Sequence, residues 1–457
     1  MSYLDCFVNY EFCLERLSLR DFSLYRVERL LSSLCVPVSG MKVIHIAGSN
    51  GKGMVANLTA SILKEAGYRV GLYTSPHIQD IRERIRILDK DRGSSDNRCL
   101  FADTITASEL DDIAEQIHVC IEGISDRKAN KYFTFFEVCT ALALLYFYRN
   151  NVDFVVLETG LGGRLDATNV VSSIVAAITS ISIDHVGILG NTLEKITAEK
   201  AAIIKDSSQR VVICKQSPEA MAVIERRCKK FKIEPLLVGR DITYDIISSD
   251  INGTVFDIID TLADKLYSGL KLSIAGCHQV ANVATTFGII KQLRQRAEII
   301  SDDAIYQGIL SVYLPCRFEV ISRNPYIILD GAHNKAAAAA LADTVSRVVS
   351  ARDVTIVLGI SKDKDISGIA NELNRIATRV IFTIANHPRA VIVSIDEARA
   401  MFPGKDVFFS DNVREALGLA MDKTSIDGCV LVTGSFFVTA EARLFLLTDA
   451  IDDRFTF

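Results

Sequence analysis

The segment from Val43 to Gly53 constrains the fold more than any other part of this sequence. An apolar run, 43–47, leads into Gly48-Ser49-Asn50-Gly51-Lys52-Gly53, and apolar residues with helical spacing continue over 55–66. A strand that turns through glycines into a helix presents backbone N–H groups and a helix N-terminus to an anion, and a lysine adds a point charge. The segment therefore predicts a phosphate-binding loop of the kind that holds a nucleotide triphosphate.

The loop departs from the full Walker pattern at two positions. Ile46 stands where the first glycine would be, and Gly53 follows Lys52 where a serine or threonine would bind magnesium. An ordinary strand–helix turn is the alternative. A lysine at a helix start is unfavourable with the helix dipole unless an anion lies there, which favours the phosphate loop.

Size and composition narrow the class of protein. The chain has 457 residues, a formal net charge of -5 and eleven cysteines without a C-x-x-C pair. Two or three domains are expected at this length, and an acidic chain is unlike a dedicated nucleic-acid binder. Scattered cysteines favour reduced thiols in a cytoplasmic protein. No signal peptide is evident, and the longest apolar run, 138–148, is too short for a membrane span and predicts a buried helix.

The apolar pattern predicts two successive α/β blocks. Strands are expected at 43–47, 69–73, 153–158, 174–179 and 210–214, and again at 326–330, 353–358, 379–384, 406–409 and 429–433. Helices are expected at 52–66, 134–149, 192–205 and 279–294, then near 335–350, 364–377, 394–402 and 411–422. The stretch 236–275 alternates in short runs and predicts an antiparallel patch. The fold class is α/β with two doubly wound domains, divided near 298–303, whose ligands bind at the carboxyl ends of strands.

Three residues at strand ends are candidate magnesium ligands: Ser75, Glu158 and His185. Because Gly53 brings no hydroxyl, the metal ligands have to come from elsewhere, and magnesium prefers carboxylate and phosphate oxygens. Glu158 supplies the charge, whereas His185 alone is equally well a hydrogen-bonding residue. Lys200, on a helix with an apolar face, would by itself be taken for a surface lysine.

Further ordered motifs extend along the chain. They are 45–53, 73–77, 82–85, 134–137, 158–169, 184–185, 199–201, 278–282, 315–319, 330–334 and 433–435. Together they resemble the folylpolyglutamate synthase/dihydrofolate synthase family of the Mur ligase superfamily, over about residues 20 to 443. The resemblance implies an N-terminal P-loop ATPase-like domain of the Mur ligase central type with the pterin site, 1–299, and a C-terminal Rossmann-like glutamate ligase domain, 300–457.

The implied activity is ATP-dependent amide ligation. A folate-type carboxylate would take the γ-phosphoryl group of ATP, and the amino group of L-glutamate would displace phosphate from the acyl phosphate. The substrates would be dihydropteroate and reduced folates. ATP would bind at the interface of the domains, contacting these residues: Gly48, Ser49, Asn50, Gly51, Lys52, Gly53, Met54, Asn282, Arg317 and Asp330.

The resemblance also assigns roles around the phosphates. Ser75, Glu158 and His185 would hold one Mg²⁺, and Lys200 matches a lysine that is carbamylated and binds a second. Lys52, Glu158, His185, Lys200 and His333 would be the catalytic set, with His333 near the transferring phosphate or the glutamate. The pterin would contact three segments: Thr134, Phe135, Phe136 and Glu137; Leu165, Asp166 and Ala167; and Phe22, Ser23, Leu24 and Tyr25. Phe136 would stack on an aromatic ring of the substrate or, equally well, be a core residue.

Several positions depart from the family pattern. Met54 replaces a serine or threonine, Cys316 replaces a glycine, and Lys335 replaces a proline. Ser23 and Tyr25 replace the more usual glycine and glutamate. If the position of Cys316 requires a positive φ, a cysteine there would be strained.

Alternative functions remain at this stage. The chain could have folylpolyglutamate synthase activity only, be a cell-wall Mur ligase acting on a UDP-sugar peptide, or be a non-catalytic nucleotide-binding homologue. The loop begins at residue 48, which leaves no room before it for a UDP-binding domain. A monomer in the cytoplasm, with small-molecule substrates and neither nucleic acid nor membrane as a partner, is expected.

Overall fold

The structure is a computed structural model that describes residues 3–12, 22–90, 101–124 and 133–448. The chain folds into two compact units. The first contains 1–245, 257–270 and 281–312, and the second contains 246–256, 271–280 and 313–457. The predicted domain limits, 1–299 and 300–457, stay a prediction.

The first unit is built on a seven-stranded sheet of order β3-β2-β4-β1-β5-β6-β7. Its strands are Val43–Ala47 (β1), Val70–Tyr73 (β2), Ile85–Leu88 (β3), Phe154–Glu158 (β4), Ser173–Ile178 (β5), Arg210–Ile213 (β6) and Leu236–Leu237 (β7). All neighbours are parallel except β2 and β3. Because β7 pairs in parallel with β6, the prediction of an antiparallel patch is wrong for 236–237.

The helices that accompany this sheet include the four that the apolar pattern predicts, near 52–66, 134–149, 192–205 and 279–294; the others were not predicted. The helices are Leu24–Ser33 (α1), Lys52–Glu65 (α2), Ala107–Gly123 (α3), Phe135–Arg149 (α4), Val186–Leu189 (α5), Leu193–Ala201 (α6), Pro218–Lys230 (α7), Cys277–Arg294 (α8) and Asp302–Leu310 (α9). The apolar run within α4 is a buried helix, as predicted. Helix α6 ends at Ala201, four residues before the predicted end.

Three further strands, Ile242–Asp250 (β8), Gly253–Asp260 (β9) and Lys265–Leu272 (β10), form a sheet of their own in the order β10-β9-β8. Among the described residues no helix is both long enough and apolar enough to cross a bilayer.

The second unit has a six-stranded sheet of order β11-β12-β16-β13-β14-β15. Its strands are Glu319–Arg323 (β11), Tyr326–Leu329 (β12), Val354–Leu358 (β13), Arg379–Phe382 (β14), Asp406–Phe409 (β15) and Cys429–Thr433 (β16). Only the edge strand β11 is antiparallel to its neighbour. The helices are Lys335–Val348 (α10), Ile366–Leu373 (α11), Ile395–Met401 (α12), Val413–Lys423 (α13) and Phe436–Thr448 (α14).

Both large sheets have the buried parallel strands that a doubly wound fold requires. Strands β1, β4, β13 and β16 are buried at every residue. Continuous apolar strands pack on both faces, which is why they read as unbroken runs in the sequence. The predicted α/β fold class is confirmed, and it brings the ends of β1, β4 and β5 to one edge of the first sheet.

Candidate active site

The predicted phosphate loop follows β1 as a tight turn into α2. Gly51 precedes the helix with φ 85°, and a Cβ built there would lie 2.2 Å from Oδ1 of Asn282. A Cβ on Gly48 would lie 1.9 Å from Oγ1 of Thr179. Gly48 is therefore required by the close approach of Thr179, and Gly51 by its left-handed backbone.

The loop is fixed to the segment after β5. The N–H groups of Ser49 and Asn50 both donate to the carbonyl of Ser180, at 2.9 and 3.1 Å. The Oγ of Ser49 donates to the carbonyl of Ser182 (2.9 Å). Lys52 is the first residue of α2, so its ammonium and the first-turn N–H groups of that helix are the positive elements at this edge.

Glu158, the last residue of β4, lies beside the loop. Its Oε2 accepts a hydrogen bond from the N–H of Ser75 (3.1 Å) and would be 3.4 Å from a Cβ on Gly53. Only 5 % of Glu158 is exposed. The structure therefore brings together two of the predicted metal ligands, Ser75 and Glu158, and places them next to the start of α2.

Lys200 is buried in α6, with 3 % of the residue exposed, and its Nζ donates to the carbonyl of Gly48 (2.7 Å). The interpretation of Lys200 as a surface lysine is thus wrong. His185 precedes α5 with φ 51°, and its Nε2 lies 3.9 Å from Oδ2 of Asp184. Within the described residues there is no group of three or more His, Cys, Asp or Glu arranged to hold a metal ion.

The first of the predicted pterin segments, 134–137, lies at the start of α4. Thr134 and Glu137 form a capping box, and the Glu137 carboxylate also accepts hydrogen bonds from Arg26 at 3.0 and 2.6 Å. Burial raises the pKa of Glu137, while Arg26 acts to lower it. Glu137 is thus held within the protein by its helix and by Arg26, a residue that the sequence reasoning did not single out.

Phe136 is half-buried, and its ring lies close to both Gly160 and Tyr73. A Cβ on Gly160 would be 2.5 Å from its ring, and the ring of Tyr73 is 5.8 Å away between centroids. Phe135 is buried, and the guanidinium of Arg84 lies 5.3 Å from its ring centroid. The absence of a side chain at Gly160 is what lets the Phe136 ring approach the turn after β4.

The second predicted pterin segment contains Leu165, Asp166 and Ala167. The Asp166 carboxylate accepts hydrogen bonds from the N–H of Leu161 (2.8 Å) and of Thr168 (3.0 Å). Asp166 and Ala167 are buried and Leu165 is half-buried. Burial raises the pKa of Asp166, against the hydrogen bonds, which lower it.

The early segment lies at the beginning of α1. Ser23 is the N-cap position, without a side-chain cap, and Leu24 is the first helical residue. The ring of Phe22 lies 6.1 Å from that of Tyr10, and Tyr25 is 45 % exposed. Tyr25 is therefore open to solvent in this structure, whereas Arg26 beside it is buried.

The second unit places its predicted residues around one aromatic ring. The guanidinium of Arg317 lies 4.2 Å from the ring centroid of Phe436, and the His333 ring lies 5.4 Å from it. A Cβ on Gly331 would be 2.4 Å from the same ring. Phe436 was missed from the sequence, although it directly follows the Thr433-Gly434-Ser435 motif.

Asp330 follows β12 and is held by backbone donors. It accepts hydrogen bonds from the N–H of Phe318 and of Ala332, each at 2.9 Å. Burial raises its pKa, and Arg317 acts first among the groups that lower it. Cys316 has φ 57°, so the cysteine does occupy a left-handed position, which is the condition under which strain was expected.

Two family profiles match the chain: the Mur ligase middle domain over residues 104–290, and the Mur ligase glutamate ligase domain over 316–436. The chain is 31 % identical to the dihydrofolate synthase/folylpolyglutamate synthase of Bacillus subtilis, over 92 % of this chain and 93 % of that one. The chain belongs to the folylpolyglutamate synthase/dihydrofolate synthase family. It is therefore an ATP-dependent ligase of the Mur type.

Two further proteins with folylpolyglutamate synthase in their names are similar to this chain. The chain is 34 % identical to a probable bifunctional folylpolyglutamate synthase/dihydropteroate synthase of Haloferax volcanii, over 97 % of this chain but only 50 % of that protein. It therefore spans half the length of that relative. A crystal structure of Mycobacterium tuberculosis folylpolyglutamate synthase, complexed with ADP and AMPPCP, matches with a TM-score of 0.83 and 30 % identity. That match covers 95 % of this chain and 97 % of the other.

Proposed function

We propose that this chain joins L-glutamate to dihydropteroate, giving dihydrofolate, and to reduced folates, giving folylpolyglutamates. ATP activates the acceptor carboxylate in both reactions. The observation that carries this proposal is the meeting of Lys52, Gly53, Glu158 and Ser75 at one sheet edge, with the Phe136–Gly160 contact after the same strand β4. The relatives named for both synthase activities support the choice of substrates.

In the first step a carboxylate oxygen of the pteroate attacks the γ-phosphorus of ATP, and the bond to the ADP oxygen breaks. Phosphoryl transfer needs charge neutralisation and in-line positioning more than covalent help. Lys52 and the N–H groups at the start of α2 neutralise phosphate oxygens. In the second step the amino group of glutamate attacks the acyl carbon, phosphate leaves, and the nitrogen loses a proton.

Ser75, Glu158 and His185 are proposed to hold Mg²⁺. The donors suit that ion, because Glu158 brings a carboxylate and Ser75 a hydroxyl, and Mg²⁺ takes the rest of its ligands from phosphate and water. When bound, it would neutralise the charge on the triphosphate. A carbamate on Lys200 would supply a second carboxylate-like group, and the 2.7 Å contact of Nζ with Gly48 places that lysine at the loop.

Asn282 of the first unit and residues of the second unit are proposed to serve the same reaction. Asn282, Arg317 and Asp330 would contact ATP, and His333 would lie near the transferred phosphate or the glutamate. The stacking of Arg317 on Phe436 supports this role, because it holds a permanently charged fork in one orientation.

The test is ADP release in the presence of glutamate and Mg²⁺, with dihydropteroate or tetrahydrofolate as acceptor. Lys52→Ala should lower turnover by roughly 10²–10³-fold, because a preorganised charge on the phosphates is lost. Lys64→Ala, a change in the last turn of the same helix, is the matched control and should keep wild-type turnover. Both variants should unfold at the same temperature as the wild type.

The two acceptors separate the alternatives. Turnover with tetrahydrofolate alone would restrict the chain to folylpolyglutamate synthesis. No glutamate-dependent turnover with either acceptor would favour the non-catalytic alternative. A cytoplasmic monomer is part of the proposal, and light scattering on the purified chain tests the monomer.

A further inference from the structure

His45 is a buried polar residue in the middle of β1, and nothing in the proposed reaction uses it. None of its surface is exposed. It lies in register with Leu157 on β4 and Ala176 on β5, which belong to two different apolar clusters. An imidazole between apolar clusters is costly unless it is hydrogen-bonded. The contacts of His45 therefore have to account for its position.

The ring of His45 contacts Thr168. Its Nε2 lies 2.8 Å from the Oγ1 of Thr168, and that hydroxyl also hydrogen-bonds to Oδ1 of Asp166. A threonine hydroxyl has one proton. When it donates that proton to the Asp166 carboxylate, it can only accept from His45, so the imidazole carries its proton on Nε2. The three side chains then form a directed relay, His45 to Thr168 to Asp166.

The relay ends on a carboxylate that joins two loops. Through the N–H groups of Leu161 and Thr168, Asp166 connects the turn after β4 with the 3-10 turn Ala167–Val170. The first of these loops contains Gly160, against which Phe136 packs. The far end of the second is held by Lys205, whose Nζ donates to the carbonyls of Asn169 (2.6 Å) and Val171 (2.5 Å).

We propose that His45 is a positioning residue for the pterin acceptor: through Thr168 it fixes Asp166 and the Gly160 turn against Phe136. This inference rests on the proposed function. The same strand carries the phosphate loop, which begins at Gly48, so one rigid element aligns the acceptor and the phosphates. The relay would keep the acceptor and the phosphates aligned. This matters because a small misplacement of reacting groups lowers the rate by a large factor.

Two pairs of variants test the relay. Thr168→Val and His45→Leu interrupt the relay. Thr168→Ser keeps the hydroxyl, and His45→Gln keeps an N–H donor near the position of Nε2. The interrupting variants should raise the KM for dihydropteroate about tenfold, because a buried partner is left unpaired, and leave the KM for ATP within about twofold. The conservative variants should restore the KM for dihydropteroate to within about threefold of the wild type.

Thr344→Val is the matched control. Thr344 is also buried, in the second unit, and its hydroxyl donates to a carbonyl of its own helix, Ala340. Its removal should leave the KM for dihydropteroate unchanged. The proposal is overturned if the KM values for ATP and dihydropteroate rise together, if neither rises, or if Thr168→Ser is as impaired as Thr168→Val.

A second measurement does not depend on turnover. In ¹⁵N-histidine-labelled wild-type protein, the His45 signals are those absent from His45→Gln. These signals should be those of a neutral ring protonated on Nε2. Their chemical shifts should stay the same between about pH 8 and about pH 5. A ring protonated on Nδ1, or one that titrates in this range, overturns the relay. If the relay is observed but wild-type protein shows no turnover with any pteroate, the proposed function fails instead.

Discussion

The phosphate loop of the first unit and the Arg317–Asp330 region of the second are built in different ways. The loop consists of backbone, glycines and one lysine, and its glycines allow contacts that a Cβ would block. The second region depends on side chains: Arg317 stacks on Phe436, and Asp330 accepts two backbone N–H groups. There, non-glycine residues occupy left-handed positions, Cys316 at φ 57° and Phe318 at φ 45°.

This difference teaches which changes each region tolerates. A loop made of backbone should be destabilised when atoms are added, whereas in the second region relief of a left-handed residue should oppose the effect of removing its side chain.

Gly51→Ala should be the most damaging of these changes. Alanine at φ 85° is strained, and its Cβ would lie 2.2 Å from Oδ1 of Asn282. We expect a loss of about 2–4 kcal/mol in the free energy of unfolding, from strain plus overpacking, and a raised KM for ATP. Urea unfolding and ADP release measure the two effects.

Gly67→Ala separates strain from crowding. Gly67 has φ 94°, but a Cβ there would meet nothing within 4 Å. The Gly67→Ala variant should lose only about 1 kcal/mol in the free energy of unfolding, and its KM for ATP should be unchanged. Equal losses for both variants would show that crowding at Asn282 does not set the glycine requirement of the loop.

Acid should destabilise the first unit through β1. Burial, and secondarily Lys205, lowers the pKa of His45 to about 3. Below about pH 6.5 the unfolded chain takes up a proton that the folded chain refuses, so stability falls as the pH falls. Wild type should therefore lose about 2 kcal/mol more than His45→Gln between about pH 7.5 and about pH 5.

Denaturant unfolding at both pH values measures this difference. His118→Gln, at a partly exposed position on α3, is the control and should lose as much stability as the wild type. Identical pH dependence in wild type and His45→Gln would contradict the neutral, buried state of His45.

Cys316→Gly should have the smallest effect. The substitution relieves a left-handed cysteine but removes a buried thiol, so the two terms oppose each other and the net change should be under about 1 kcal/mol. Cys429→Gly, in the first position of β16, removes an equally buried thiol without relieving strain, and should cost about 2 kcal/mol. If both variants lose the same stability, the positive φ of Cys316 stores no strain.

Much of the architecture follows from the sequence alone. Strands 43–47, 406–409 and 429–433 lie where their apolar runs predict them, and α2 begins at Lys52 directly after the glycines. The edge strands β3 and β11 were not predicted. Each is short and carries charged residues, Arg86 in β3 and Glu319 and Arg323 in β11, which interrupt the apolar run by which a buried strand is recognised.

The candidate site likewise contains features that the sequence predicts and contacts that it does not. The loop, the strand-end positions of Ser75 and Glu158, and the family could be recognised from the sequence, because they depend on residue types within short motifs. Two contacts could be found only in the folded chain: Lys200 reaches Gly48 across 152 residues, and His45 reaches Thr168 across 123. Such contacts are fixed by the stacking order of strands and the helices packed on them, and no local pattern carries that information.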